Sequence, residues 1–257
     1  MILGIDVGGT NIDVVVMRDG DLEISSFKTA DAITCLSDFV DERWPDVKAV
    51  GVGIAAWFEI CKSKRKIIHA PNLSVIPEFS FSKPFIVDND ANCFAYFASK
   101  MLGVKNLLGV TVGTGIGGGV VYEGKIYRGC GAAGEIGHIY VGGDRKCKCG
   151  GRGHLETYFG GWALSKYKDM KEILSSGEIY ECKGFELFCI SIANAVLILH
   201  PEVVAIGGRI GARLNEKKMR DGIRKWLPDV LDVKVQIIKD DYAAAKGAAM
   251  LARDTIL

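Results

Sequence analysis

The sequence predicts an α/β protein made of two related lobes with a cleft between them. Two observations lead there. The stretches LGIDVGGTNIDVVV (residues 3–16) and LGVTVGTGIGGGVV (residues 108–121) align without a gap and share Leu, Gly, Val, Gly, Val and Val at matching places. Each reads as a β-rich run, a Gly/Thr turn and a second β-rich run, and the unit occurs twice, which suits a duplicated lobe and not a solenoid. After each copy, helical and strand-like periodicities alternate, the pattern of helices layered on sheets.

The elements follow in order. Leu3–Val16 is expected to form the first hairpin, and Asp19-Gly20 beyond it to turn into a third strand; Glu123-Gly124 does the same after the second copy. AITCLSDFVDERW (32–44) has helical spacing, while KAVGVGI (48–54) and FIVDND (85–90) read as buried strands. DANCFAYFASKML (90–102) is helical, with Asp90 near its start, and is expected to join the lobes. In the second half, FELFCISIANAVLILH (185–200) is an apolar helix that ends before Pro201. The strand EVVAIGG follows, then a helix through Leu227, the strand VKVQIIK and a last helix from Asp241 to Arg253. The expected division is a smaller lobe of residues 1–97 plus 243–257 and a larger lobe of residues 98–242.

Composition narrows the classes of function. The 257 residues are 49% hydrophobic and 25% charged, enough for a large core and two lobes at ~100–200 residues per domain. Thirty-two basic residues against thirty-one acidic leave a net charge of +1, no excess with which to neutralise a nucleic acid backbone. The longest strongly apolar run, Ile190 to Leu199, falls short of the ~20 residues of a membrane span. The start MILGID carries no basic region, so no signal peptide is expected and a cytoplasmic location is. Of eight cysteines, six (Cys35, Cys61, Cys93, Cys130, Cys182 and Cys189) are scattered and are expected as buried free thiols; only Cys147 and Cys149 cluster.

Gly113, Gly115 and Gly118 satisfy a G-x-G-x-x-G spacing, but that pattern binds dinucleotides only between a strand and a helix. Here GVVYEGKIY follows, strand and turn, and the nicotinamide reading is rejected. No Walker-type loop occurs either. The physical alternative is two facing hairpin tips. Glycine lets backbone N–H groups approach an anion, and the hydroxyls of Thr10 and Thr114 add donors. Tips made of Gly8, Gly9, Thr10 and Asn11 on one lobe and Gly113, Thr114 and Gly115 on the other would hold a nucleotide's phosphates across the cleft. Asp6, at the end of its strand, would face phosphate-bound Mg²⁺. Ordinary tight turns are the plain alternative, and the duplication favours the phosphate reading. In DNDAN, Asp90 sits at a strand-to-helix corner, where it can accept a hydroxyl proton in phosphoryl transfer or merely cap the helix; the residues alone leave both open.

The stretch GEIGHIYVGGDRKCKCGGRGHLE (134–156) holds two histidines, two cysteines and two glutamates. C-x-C with a histidine within about ten residues suits structural Zn²⁺, with His138, Cys147, Cys149 and a fourth ligand around it.

Together, DVGGT, PNL at Pro71, DNDAN, GTGIGGG, GEIGH with CKCGGRGHLE, and HPEVVAIGGRIG resemble the ROK family, named for repressors, open reading frames and sugar kinases. The resemblance spans almost the whole chain and implies the duplicated actin/hexokinase-like (ribonuclease H-like) fold. It implies ATP and Mg²⁺, a hexose, most simply glucose, phosphorylated at its 6-hydroxyl, and Asp90 as the base. It places Asn72, Asn89, Asp90, Glu135, His138 and Glu156 on the sugar, Gly207 and Gly208 on the adenosine side, and implies a homodimer. N-acetylmannosamine or N-acetylglucosamine is the alternative acceptor. A sugar-responsive ROK transcriptional regulator is the alternative of another class; those carry a helix-turn-helix ahead of the hairpin, which here starts at residue 2. The chain departs from the family twice. His154 stands where CxCGxxGC has its third cysteine, so Cys₂His₂ is expected to replace Cys₃His. GVGIAAWFE (51–59) replaces a GxPGxV-like turn, so Trp57 is expected to reshape the sugar pocket.

Overall fold

The computed structural model describes residues 1–18, 21–61, 64–167 and 169–257, which leaves the Asp19-Gly20 turn outside the described residues. The first lobe runs β1 (Ile2–Val7), β2 (Asn11–Arg18), β3 (Asp21–Lys28), α1 (Thr29–Ala32), α2 (Leu36–Arg43), β4 (Ala49–Ile54), β5 (Trp57–Cys61), β6 (Lys64–His69) and β7 (Phe85–Asn89). Helix α3 (Asp90–Leu102) follows. The second lobe holds β8 (Leu107–Val112), β9 (Ile116–Tyr122), β10 (Lys125–Tyr127), α4 (Glu156–Phe159), α5 (Gly161–Leu164), α6 (Met170–Ser176) and α7 (Lys183–Leu199). It closes with β11 (Val203–Gly207), α8 (Gly208–Gly211), α9 (Glu216–Arg224), β12 (Lys234–Ile237) and α10 (Ala243–Ile256).

The duplication is complete at the level of the sheets. One is ordered β3-β2-β1-β4-β7 and the other β10-β9-β8-β11-β12, with the first three strands antiparallel and the remaining pairings parallel in both. The gapless alignment of the two hairpins does not survive the turn. Val7 pairs with Ile12 across a four-residue tip, whereas Val112 pairs with Ile116 across a three-residue tip. Ile12 therefore corresponds to Ile116, and both are buried. A one-residue slip would have turned every later side chain to the opposite face, so the shorter tip keeps the apolar set inside.

Each sheet carries its own apolar layer. Leu3, Ile5, Ile12, Val14 and Val52 centre the first, and Val110, Ile116, Phe159, Phe188 and Ile206 the second. The helices at the lobe junction cross over. Helix α3 leaves the first lobe and lies against β8 and β9 of the second, where Phe94 and Phe97 pack on Leu107 and Val121. Burying each ring contributes about 1.5–3 kcal/mol. Helix α10 leaves the second lobe and lies against β1 and β4 of the first. Both crossings depend on glycine: a Cβ at Gly4 would stand 2.0 Å from the Ala245 carbonyl oxygen, and one at Gly119 would stand 2.5 Å from that of Ala91.

Residues 90–102 form one continuous helix, as expected of the segment that joins the lobes. Several expectations need correction. The helix expected over 32–44 is two pieces, α1 and α2, because backbone turns at Cys35 leave the helical region. The last helix begins at Ala243 and reaches Ile256. Cys35, Cys61 and Cys130 are exposed and Cys182 is partly so; Cys93 and Cys189 are buried, since only they sit on the inward faces of long helices. Among the described residues, no helix is long and apolar enough to cross a membrane.

Candidate active site

A cavity of about 300 Å³ lies between the lobes. From the first lobe it is lined by Asp6, the tip Gly8–Asn11, Trp57, Asn72, Asn89 and Asp90. The second lobe contributes Gly113, Thr114, Gly115, Glu135, His138, Glu156 and Gly208. Every residue expected to bind nucleotide or sugar is on this list except Gly207. At that residue a Cβ would stand 2.4 Å from the Phe94 ring, so its smallness makes room for the ring.

The two tips are held by the same device. Thr29, opening α1, donates its hydroxyl to the Gly8 carbonyl (2.7 Å) and its N–H to that of Thr10 (3.1 Å). At the other tip, Gly161 and Trp162, opening α5, donate their N–H groups to the carbonyls of Gly113 (3.0 Å) and Thr114 (2.9 Å). Tying down the carbonyls fixes the peptide planes, which suits tips that must present N–H groups to an anion.

The DNDAN run resolves into three roles. Asp88 is buried and bonds Arg65, Arg128 and the Asn92 amide, which secures β6 and the end of β10 to the helix start. Asn89, not Asp90, caps α3: its Oδ1 accepts from Ala91 N (2.9 Å) and Asn92 N (3.1 Å). Its Nδ2 donates to the Ala56 carbonyl (3.1 Å), which leaves one N–H for a ligand. Asp90 accepts from the Ala91 N–H (2.9 Å) and its own backbone N–H, and lines the cavity. Burial lifts its carboxyl above the usual range, opposed in part by those backbone bonds.

Asp6 stands opposite on β1. Its Oδ1 is buried without a hydrogen-bond partner among the described residues, and burial, then the charges of Asp90 and Asp13, push its carboxyl well above the ordinary range. An orphaned carboxylate oxygen in a cavity beside a second carboxylate fits a hard divalent cation, which takes oxygen ligands. Glu135 is pushed up to about 8 by burial and by Asp90, while the Trp57 side chain bonds it and works the other way. Trp57 also meets the His138 ring edge-on at 4.9 Å, so it forms a wall between the two sugar-side candidates. Asn72 accepts from Lys148 Nζ (3.3 Å), which reaches over from the Cys-rich segment.

That segment folds into a small knuckle, with Tyr140 bridged to His154 and Lys146 to Arg152. Single ligand atoms of His138, Cys147, Cys149 and His154 all lie within 4.8 Å of one another, and two thiols with two imidazoles are a donor set that suits tetrahedral Zn²⁺. Cys149 Sγ is 3.2 Å from His154 Nδ1, and Cys147 Sγ is 3.7 Å from His138 Nδ1, so the Nδ1 side of His138 faces the thiols. Its Nε2 side faces Glu156, whose Oε2 is 3.9 Å away and whose Oε1 accepts from Cys147 (3.0 Å). Glu156 is buried although it opens a helix, the position where an acid is commonly solvated.

Among the residues at the cavity that sequence reasoning passed over are Asp13 and Arg209. The signals were slight: a lone acid in the apolar run NIDVVV, and the residue after the Gly207-Gly208 pair.

A family model described as the ROK family matches residues 2–255. An N-acetyl-D-glucosamine kinase of Mannheimia succiniciproducens is 30% identical over 305 aligned residues, covering 98% of this chain and 99% of the relative. An N-acetylmannosamine kinase of Vibrio cholerae is 27% identical, covering 96% and 97%. A ROK family glucokinase from Streptomyces griseus, solved with glucose and AMPPNP, superimposes with a TM-score of 0.81 at 24% identity, covering 98% and 99%. The last likeness establishes a shared two-lobed α/β fold.

Proposed function

Since the chain belongs to the ROK family, we propose that it is an ATP- and Mg²⁺-dependent sugar kinase that transfers the γ-phosphate of ATP to the 6-hydroxyl of a hexose-type sugar. The observation that carries this is the pairing of Asp90 with Asp6 in a cavity bordered by two tethered glycine tips. Phosphoryl transfer needs alignment, charge neutralisation and a group to take the hydroxyl proton. Asp90 accepts that proton as the sugar oxygen forms its bond to the γ-phosphorus and the bond to the ADP oxygen breaks. Asp6 would hold Mg²⁺, which when bound neutralises phosphate charge. Asn72, the free N–H of Asn89, Glu135, His138 and Glu156 orient the ring, since amides and carboxylates pair well with vicinal hydroxyls. His138, Cys147, Cys149 and His154 would hold Zn²⁺, which fixes the His138 ring without entering the reaction.

We take the acceptor to be an N-acetylated hexosamine in place of the glucose expected from the sequence. Two relatives that run the full length of the chain carry such sugars in their names, and Trp57 gives the pocket an apolar wall beside its carboxylates. Glucose is the competing acceptor in the same test. ADP release is measured with N-acetylglucosamine, N-acetylmannosamine and glucose, on the native protein and on Asp90→Asn. The variant is expected to lose ~10²–10⁴-fold in kcat and still bind sugar. Near-normal kcat removes Asp90 from the role, and no ADP with any sugar overturns the kinase reading.

A further inference from the structure

The cavity has a one-sided charge. Alongside the carboxyls already described it is lined by Asp13, Asp240 and Asp241, against a single Lys or Arg side chain among the described residues, Arg209. Of the other cations nearby, Arg213 grips Asp241 through two bonds of 2.9 Å and Lys246 Nζ sits 2.6 Å from Asp240, while Lys28 and Lys148 reach only the rim, on the side-chain oxygens of Asn11 (3.2 Å) and Asn72 (3.3 Å). Arg209 follows Gly208 at the start of α8 and crosses from the second lobe to Asp13 on β2 of the first, Nη2 to Oδ2 at 2.9 Å. Asp13 is buried, and its Oδ1 accepts from Ser26 Oγ at 2.5 Å. Its carboxylate is thus locked in place and holds one edge of the guanidinium. The remaining N–H groups of Arg209 make no further hydrogen bond among the described residues, although its charge also acts on Asp6 and Asp241, and its side chain is 56% exposed.

A guanidinium held on one side by a fixed carboxylate and open on the other is prepared for a second anion, because its fork serves two oxyanions at once. Resting on the kinase reading above, we infer that Arg209 is a phosphate-binding residue for the nucleotide, and that Asp13, anchored by Ser26, is its positioning residue. A triphosphate brings several negative charges into a cavity rich in carboxylates. The backbone tips supply hydrogen bonds but no full charge, so Arg209, the Lys or Arg side chain lining the cavity among the described residues, adds a positive charge that favours the nucleotide's entry before catalysis begins.

The test is direct binding, by calorimetry, of MgATP, MgADP and adenosine to the native protein, Arg209→Gln, Arg209→Lys and Asp13→Asn. Hydrogen bonds to charged groups predict a loss of about ten- to hundredfold in MgATP affinity for Arg209→Gln, with adenosine affinity unchanged. Arg209→Lys is expected to recover part of the loss, as one ammonium cannot serve carboxylate and phosphate with the same geometry. Asp13→Asn should weaken MgATP less than Arg209→Gln does, and in the same direction. If Arg209→Gln binds MgATP within about twofold of the native protein, the assignment is wrong. An equal loss for adenosine also overturns it, since that result makes Arg209 a strut between the lobes. Native protein that binds no MgATP overturns the kinase reading itself, a result none of the variants can mimic.

Discussion

Asp88, Asn89 and Asp90 follow one another in the chain, yet one is buried in an ion cluster, one caps a helix and one faces the cavity. Sequence left the base and cap roles of Asp90 open because both need an acid at a strand-to-helix corner. The structure separates them through the backbone: Asn89 is extended, with ψ of 141°, which aims its Oδ1 at the first free N–H groups of α3, while Asp90 is already helical. Most of the cavity was legible in this way, as residue types at motif positions. What was not legible is a partnership across the lobes such as Asp13 with Arg209, 196 positions apart. Glu135 gives a residue-scale prediction. Its carboxyl sits at about 8 in the fold against an ordinary value of 4.5, so the stability it contributes is whole below about pH 4.5 and is lost as pH rises through 8. Asp6 and Asp90 are raised too and act in the same sense, while burial lowers His138 and opposes them below about pH 6.5. The thermal midpoint of the ligand-free protein should therefore fall between pH 6.5 and 8, and Glu135→Gln should flatten that fall. A midpoint that rises over this interval in the native protein, or an equally steep fall in the variant, counts against the burial of that acid.

At the scale of elements, long periodic segments were readable and short irregular ones were not. Helix α7 and strands β4, β7, β11 and β12 follow from apolar periodicity, which needs only local sequence. The hairpin β5–β6 escaped, since KRKIIH is charged at one end and lies on the surface, fixed to the lobe by Arg65 on Asp88. The knuckle of residues 140–154 is held by two isolated bridges and by its Cys and His side chains, so neither period describes it. If Zn²⁺ closes it, His154→Cys should keep about one metal per chain and His154→Ala should lose it, because thiolate and imidazole both serve tetrahedral zinc. The loss should raise the sugar KM more than it lowers kcat, since His138 would swing while Asp90 stays in place. Elemental analysis with steady-state kinetics decides, and full occupancy with unchanged KM in His154→Ala makes His154 a bystander.

At the scale of the molecule, the repeat announced two lobes, and the two sheets do share one strand order. It did not announce which helix covers which sheet, because periodicity gives the apolar face of a helix and not the surface that meets it. The crossing of α3 and α10 has a consequence for any attempt to divide the chain. A half ending at residue 104 would carry α3 with its Phe94 and Phe97 side chains uncovered, and would leave β1 and β4 without α10. The half from residue 105 onward would have the mirror-image defect. Expressed apart, neither should show a cooperative melt; mixed, they should associate one to one and recover it, read by circular dichroism and size-exclusion chromatography. Independent folding of either half would contradict the crossing. A half-length protein with one such sheet would need a second copy to supply the helix that covers it, so the contact now lying inside one polypeptide has the form of an interface between two chains that trade C-terminal helices.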